Sequence, residues 1–415
     1  MFADYIDTCR IAYKEALIKP NWERNSDCIF NHHVHTPYPV IDTFWKNKKF
    51  NSFITCNVEA FLHNNIQYCD NVCFLTSCST KEQIGRKILS KVQEYNKNFQ
   101  FEIIRYSVDN KKRITGLKEI AMKTFSAGFL NSPYSVSAGN STNKTSVYPD
   151  FTQKILPIIE EQFVTITPRP WASKPDNAFR KFMFAQTHLK EMVCLKNTAF
   201  ANAQVNTCYS FFDFKDNNKS TTIYDIDGNS TTICLDESTT IPWGNISWIP
   251  VLQKLNKLKG LATLWKRGSL NLNEVVEDPN GQKFCKAIGT LNGPINYTTI
   301  SNKETCGLNK KKIGFANVGD NDKIGPIKNL DDDAVAGHSV VIMEVETDEQ
   351  RNHLRDYIDS PFVKSIMKAI KTSTPNAKYL FEYVPLIDLN SPYNLANIFA
   401  QAGLTKEEEK LFESR

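Results

Sequence analysis

The sequence predicts an α/β protein whose N-terminal half is built on a mainly parallel sheet and whose C-terminal half is α+β. Between residues 71 and 168, apolar runs of strand length alternate with amphipathic helical stretches, the order that builds a parallel sheet with helical crossovers. After about residue 200 that alternation gives way to β-rich stretches, one of them hairpin-like. A chain of 415 residues also exceeds one ordinary core and suits two domains, at roughly 100–200 residues each. The division is drawn as 1–200 and 201–415, with the boundary expected near 195–205 or up to forty residues later. No internal repeat is visible.

Taken in order, Tyr5 to Ile18 has a helical pattern, and the aromatic-rich stretch up to about residue 60 has no assignable period. "NVCFL", from Asn71, reads as a buried strand, "KEQIGRKILSKVQEY" as an amphipathic helix and "FEIIRYSV" as a second strand. "GLKEIAMKTF" leads into the strand "SAGFL", which stops at Asn131, Ser132, Pro133 and Tyr134. "DFTQKILPIIEEQ" reads as a helix and "FVTITP" as the strand after it. In the second half, "VNTCYSFFDF" and "STTIYDIDGNSTTICLD" read as strands, the latter turning at Asp227 and Gly228 because Asp-Gly suits a tight hairpin. Residues 268–335 read as polar and loop-rich, and "SVVIMEVE" as a strand. "DEQRNHLRDYIDSPFVKSIMKAIKTS" reads as one long helix with Leu354, Ile358, Phe362, Ile366 and Ile370 on a common face.

Composition narrows the class. A 41% hydrophobic content with 23% charged residues is that of a soluble globular protein. The net charge of +5 admits nucleic acid as a partner without requiring it. The N-terminus lacks the apolar core of a signal peptide, and no run approaches the ~18 apolar residues that span a bilayer, so a cytoplasmic protein without a membrane partner is expected. Eleven cysteines, an odd number without framework spacing, read as reduced thiols.

The tetrapeptide after "SAGFL" carries the chemistry. Ligands of open α/β sheets sit beyond the carboxyl ends of the strands, where Asn131 to Tyr134 fall. The Asn131 amide can donate and accept hydrogen bonds, Pro133 stiffens the turn and Tyr134 offers an aromatic face. Together they suit an extruded base.

"KTFSAGFLNSPYS" resembles the motif of DNA adenine-N6 methyltransferases, in which a strand ends in Asn/Asp-Pro-Pro-Tyr/Phe. "YPDFTQKILPIIEEQFVTITPRPW" and "FRKFMFAQTHLKEMVCLKNTAFANAQVNTCYSFFDF" are similar to the segments that follow that motif in methylases of type IIG and related restriction-modification systems. "GHSVVIMEVETDEQRNHLRDYIDSPFVKSIMKAIKTSTPNAKYLFEYVPLIDL" and "LTKEEEKLFES" are similar to the closing part of their target-recognition region, so the resemblance covers roughly residues 120–415. It implies a Rossmann-like methyltransferase domain followed by a target-recognition domain, S-adenosylmethionine as cofactor, and duplex DNA and a restriction-modification subunit as partners. It further implies that the Asn131 side chain and the Ser132 carbonyl take the hydrogens of an adenine amine, with Pro133 shaping the turn and Tyr134 stacking on the base.

The same resemblance places the cofactor loop after "NVCFL", at Thr76 and Ser77, and gives Asp109 the ribose. This loop reads "TSCSTKEQIG", with Lys81 and Glu82 and no Gly-x-Gly, and Ser132 replaces the family's proline. Methyl transfer is therefore expected to be weakened or lost, the alternative being a non-catalytic binding factor.

Other segments carry residue types with a chemistry of their own. "CIFNHHVH" holds zinc-ligand residue types in Cys28, His32, His33 and His35, but neighbouring histidines in an aromatic loop are more often not ligands, and no metal is expected. Cys69, Cys73 and Cys78 read as core and loop thiols. In "WKRGSLNLN", Trp265, Lys266 and Arg267 suit DNA phosphates and Asn271 suits a base edge, with a solvated loop as the alternative. Lys311, within Lys310 to Lys312, is a second backbone contact, and "LDDD" at 330–333 is expected to face water.

Overall fold

A computed structural model describes residues 50–57, 69–77, 79–109, 113–131, 135–137, 144–173, 177–195, 207–236, 239–242, 245–270, 284–293, 295–299, 307–320, 323–371 and 374–413. They form two compact units.

Among the described residues, the first unit holds thirteen strands. They are β1 (Ser52–Thr55), β2 (Asn71–Thr76), β3 (Gln100–Arg105), β4 (Ser107–Val108), β5 (Ile114–Thr115), β6 (Phe125–Leu130), β7 (Ser135–Ser137), β8 (Lys144–Ser146), β9 (Ile159–Pro168), β10 (Leu189–Leu195), β11 (Thr207–Asp213), β12 (Ser220–Tyr224) and β13 (Ser230–Cys234). Nine of them make one sheet in the order β13-β12-β10-β11-β9-β6-β1-β2-β3. The run from β3 through β9 is parallel, and β11 and β13 run against the rest. β4 with β5 and β7 with β8 form small antiparallel pairs outside it.

Burial follows from this topology. Every residue of β6 is buried, as are all of β2 after Asn71, because inner parallel strands have no solvent face and read as continuous apolar runs. Helix α1 (Ser79–Tyr95) follows β2. Its Gly85 allows a close approach, since a Cβ there would fall 2.5 Å from the Phe74 ring. Helix α2 (Tyr148–Ile155) is shorter than its sequence suggests: Leu156–Ile158 form one tighter turn around Pro157, and the strand begins at Ile159. Proline in a helix interior removes a hydrogen bond and clashes with the preceding turn, while "IEEQ" gains ladder partners in β6 and β11. Helix α3 (Ala178–Phe184) is capped by Asn177, whose side chain accepts from the backbone of Phe179 and Arg180.

One expectation changes. β1 lies in the stretch without assignable period, yet it is an inner strand of the sheet, so "FEIIRYSV" supplies the third strand and not the second. The first unit runs past residue 200, within the margin drawn for the boundary: β11, β12 and β13 pair onto the sheet, and its described residues continue to Asp236. The Asp-Gly hairpin forms as expected, with Gly228 at φ 87°.

The second unit comprises the described residues from 239 onward together with Ala172 and Ser173. Its strands are β14 (Trp265–Arg267), β15 (Phe284–Ile288), β16 (Ile295–Thr299), β17 (Lys311–Ala316), β18 (Ile327–Leu330), β19 (Ala334–Ala336) and β20 (Val340–Val345). They make an antiparallel sheet β14-β20-β17-β18 and a smaller sheet β16-β15-β19. The stretch expected to be loop-rich therefore carries β15 to β18 and part of β19, because short half-polar strands such as "INYTT" acquire their identity from partners.

Its helices are α4 (Trp248–Leu255), α5 (Asp348–Ile358), α6 (Pro361–Ile370), α7 (Leu395–Ala402) and the single turn α8 (Lys406–Glu409). The expected long helix breaks at Asp359–Ser360, where Ser360 Oγ accepts from the Val363 amide and Pro361 opens α6. The common face survives the break: Leu354, Ile358, Phe362, Ile366 and Ile370 all enter the core with Ile313, Phe315 and Met343. No described helix is long and apolar enough to cross a membrane.

Candidate functional site

In the first unit, the chain runs from β1 outward to β2 and β3, then continues on the other side of β1 with β6 and β9. Strand order thus reverses between β1 and β6, and ligands of open sheets bind in the crevice at such a switch point. Thr55 and Phe129 are in register across it, which brings Asn57, beyond β1, level with Asn131, beyond β6.

These two asparagines are joined. The Asn131 amide donates to Asn57 Oδ1 at 2.9 Å, and the Cys56 thiol donates to the same oxygen at 3.0 Å. Thr55 Oγ1 accepts the Asn57 amide at 2.9 Å and donates to its carbonyl at 3.2 Å. Thr55, Cys56 and Asn57 are all buried. Where two inner strands end, the backbone leaves its ladder, and buried polar groups need another partner; the Asn57 side chain supplies it.

On the other side of β1, β2 ends at buried Thr76, whose carbonyl accepts the Tyr106 amide at 2.9 Å. Ser77, which follows it, is exposed. Burial pushes the Tyr106 phenol up to about 12, and its ring meets Phe151 edge-on at 4.8 Å. Adjacent strand ends thus present Asn131, Asn57 with Cys56, Thr76 with Ser77, and Tyr106. Sequence reasoning named Asn131, Thr76 and Ser77 but missed Asn57, Cys56 and Tyr106; the four residues of β1 show no period that would have marked Asn57 as following an inner strand.

Asn131 stands half-buried at its expected strand end, while Ser132, Pro133 and Tyr134 lie outside the described residues. Thr76 and Ser77 stand at the end of β2, one strand outward from the switch point between β1 and β6. Lys81 is exposed on α1. Glu82 pairs with Arg105 at 2.5 Å and Arg86 at 3.2 Å, which hold its carboxyl below the usual range. Asp109 follows β4, accepting from the Arg113 amide at 2.8 Å and from the guanidinium at 3.0 and 2.9 Å. A carboxylate so engaged is not free for a ribose.

Glycine allows backbone to approach S-adenosylmethionine, and the first glycine in the chain is Gly85, so none stands in the sequence between β1 and β2. Asn57 stands there with a buried side chain already bonded to both neighbours.

In the second unit, Trp265, Lys266 and Arg267 form β14 and not a loop. The Trp265 indole donates to the Asn376 carbonyl at 3.1 Å, Lys266 pairs with Glu344 at 2.6 Å, and Arg267 Nε donates to the His338 carbonyl at 2.9 Å. Asn271 lies outside the described residues. Lys311 pairs with Asp332 at 2.6 Å and Asp348 at 3.0 Å, which raise its pKa. Lys312 is buried, donating to the carbonyls of Lys310, Asp331 and Asp332, and desolvation pushes it down to about 8. Asp331 and Asp333 are exposed and Asp332 is half-buried, and their carboxylates are engaged, Asp331 and Asp333 by Lys286 and Asp332 by Lys311.

Among the described residues no group of three or more His, Cys, Asp or Glu could hold a metal. Cys28, His32, His33, His35 and Cys78 lie outside them. Cys69 and Cys73 are buried, and desolvation pushes the Cys69 thiol up to about 12.

No protein-family model matches the chain, and no curated protein does. Among solved structures it is similar to the methyltransferase subunit of a type I restriction-modification system from Streptococcus thermophilus, at 13% identity and TM-score 0.35 over 47% of either chain. It is also similar to the type IIL restriction-modification enzyme MmeI, solved in complex with DNA, at 10% identity and TM-score 0.48, over 98% of this chain and 68% of that one. The type IIG restriction endonuclease BpuSI is similar at 10% identity and TM-score 0.40, over 92% of this chain and 65% of that one. The chain spans about half the length of the Streptococcus subunit.

Proposed function

We propose that the chain is a DNA adenine-N6 methyltransferase-type protein of the restriction-modification kind that binds duplex DNA in the cytoplasm, with methyl transfer weakened or lost. The observation that carries this reading is the position of Asn131, the first residue of the Asn-Ser-Pro-Tyr turn, at the carboxyl end of β6 beside the switch point, with its amide held by Asn57. A base-binding turn belongs at such a place in an open sheet. In this reading the Asn131 side chain and the Ser132 carbonyl take the hydrogens of an extruded adenine amine, Pro133 limits the turn's freedom, and Tyr134 stacks on the ring.

The weakening rests on two departures. Asn57 stands with its side chain at the switch point where bare backbone would serve S-adenosylmethionine, the methyl donor of any activity that remains. Ser132 removes one of two prolines that would hold the turn rigid, and amine orientation depends on that rigidity. The assembly partner in this reading is a restriction-modification subunit.

The test is calorimetry with S-adenosylmethionine, beside a gel shift on random duplex DNA across a salt series and an adenine-methylation assay. The expected result is DNA binding that falls steeply with salt as counterions are released, with cofactor affinity too weak to measure at micromolar concentration. Robust methylation would overturn the proposed weakening. Failure to bind DNA at low salt would overturn the DNA-binding reading and favour a protein-binding factor.

A further inference from the structure

Two of the cations that sequence reasoning assigned to DNA, Lys266 and Lys311, are paired within their own unit. Lys266 is paired with Glu344, whose side chain is only 15% exposed, and Lys311 is held between Asp332 and Asp348. A phosphate reaching either lysine must displace a carboxylate already in place. A different arrangement surrounds a recess of about 480 Å³ between the segment leading into β18 and helix α6. Its floor is apolar, with Ile324, Ile358 and Met367 all buried, and three lysines stand around it: Lys323 on one wall, Lys364 and Lys368 on the other.

Lys364 and Lys368 are four residues apart on α6, so they share a face with Cβ atoms roughly 5–6 Å apart. Asp359 is the single carboxylate among the lining residues. It pairs with Lys364 at 2.8 Å, but the two side chains are 63% and 59% exposed, and an ion pair so open to water holds its partner weakly. Lys323 and Lys368 are exposed and form no ion pair among the described residues. The recess therefore has an excess of positive charge over an apolar floor.

Resting on the reading of this chain as a DNA-binding protein, we propose that its second unit meets the DNA backbone through Lys323, Lys364 and Lys368. The three ammonium groups neutralise phosphates, which position a protein on a duplex without reading its sequence, and the floor beneath them receives the apolar edge of a deoxyribose. Phosphodiester is the occupant that charge complementarity selects.

The experiment follows fluorescence anisotropy of a labelled random-sequence duplex with the full chain across a salt series. It compares wild type with Lys323→Ala/Lys364→Ala/Lys368→Ala and with Lys266→Ala/Lys311→Ala. Each phosphate contact contributes about 0.9 to the slope of log affinity against log salt. The first variant should therefore flatten that slope by about 2 to 3 and weaken low-salt binding at least tenfold, with Lys368→Glu weaker than Lys368→Ala. The second should change the slope by less than one. If wild type binds no duplex, the functional reading itself fails. If wild type binds and the triple variant keeps its slope, or the double variant flattens it as much, the lysine assignment fails while the functional reading stands.

Discussion

Asn57 is a single side chain whose one oxygen serves two donors, the Asn131 amide and the Cys56 thiol. Removing it should strand a buried amide at the end of an inner strand, at a cost of about 1–3 kcal/mol. Asn57→Ala is accordingly expected to lower unfolding stability in urea by that amount. An Asn57→Ala protein as stable as wild type would remove the bridge from the account. Lys312 gives a pH-dependent counterpart. Its folded pKa of about 8 lies below the ordinary 10.5 because it is desolvated. Between these values the unfolded chain keeps a proton that the folded chain releases, so unfolding takes one up and the Lys312 contribution to stability rises with pH. Wild type should thus gain stability relative to Lys312→Met between pH 7.5 and 9.5 in paired urea titrations. A constant difference would contradict the depressed pKa.

At the scale of elements, helical spacing proved more durable than helical continuity. Leu354, Ile358, Phe362, Ile366 and Ile370 reach one core although the chain breaks at Asp359–Ser360, since a proline can open a helix but not continue one without loss. Helix α1 shows how a single glycine couples an element to its neighbour. Replacing Gly85 by alanine favours the helix by up to about 1 kcal/mol, yet the new Cβ would lie 2.5 Å from the ring of Phe74, which is buried in β2 between β1 and β3. Overpacking of this kind costs about 1–3 kcal/mol, so Gly85→Ala should lower the melting temperature. A rise would mean that Phe74 can move aside at little cost.

At the scale of the whole molecule, the extent of the first sheet governs where the chain can be divided. β10 joins the sheet only through β11 and β12, so a fragment ending at residue 200 loses both of its partners and uncovers the long edge of β9. Exposed apolar edges invite association. The fragment 1–236 should therefore unfold cooperatively and stay monomeric by light scattering, whereas 1–200 should aggregate; equal behaviour of the two would refute a sheet extending through β13.

What could be read from the sequence by itself lay within short windows: the strand "NVCFL", the helix after it, the Asp-Gly hairpin, and Asn131 at a strand end are each set by residues a few positions apart. Periodicity and turn chemistry act over that range. Strand order does not. β1 has four residues and no readable pattern, and it becomes an inner strand of the sheet only because β2 and β6 pair on its two sides. That placement brings Asn57 to Asn131 across 74 positions, as antiparallel pairing of β14 and β20 brings Glu344 to Lys266 across 78. Whether a lysine is available to a phosphate, or an asparagine stands at a ligand crevice, is decided by such distant pairings, because ion pairs and hydrogen bonds are made between neighbours in space.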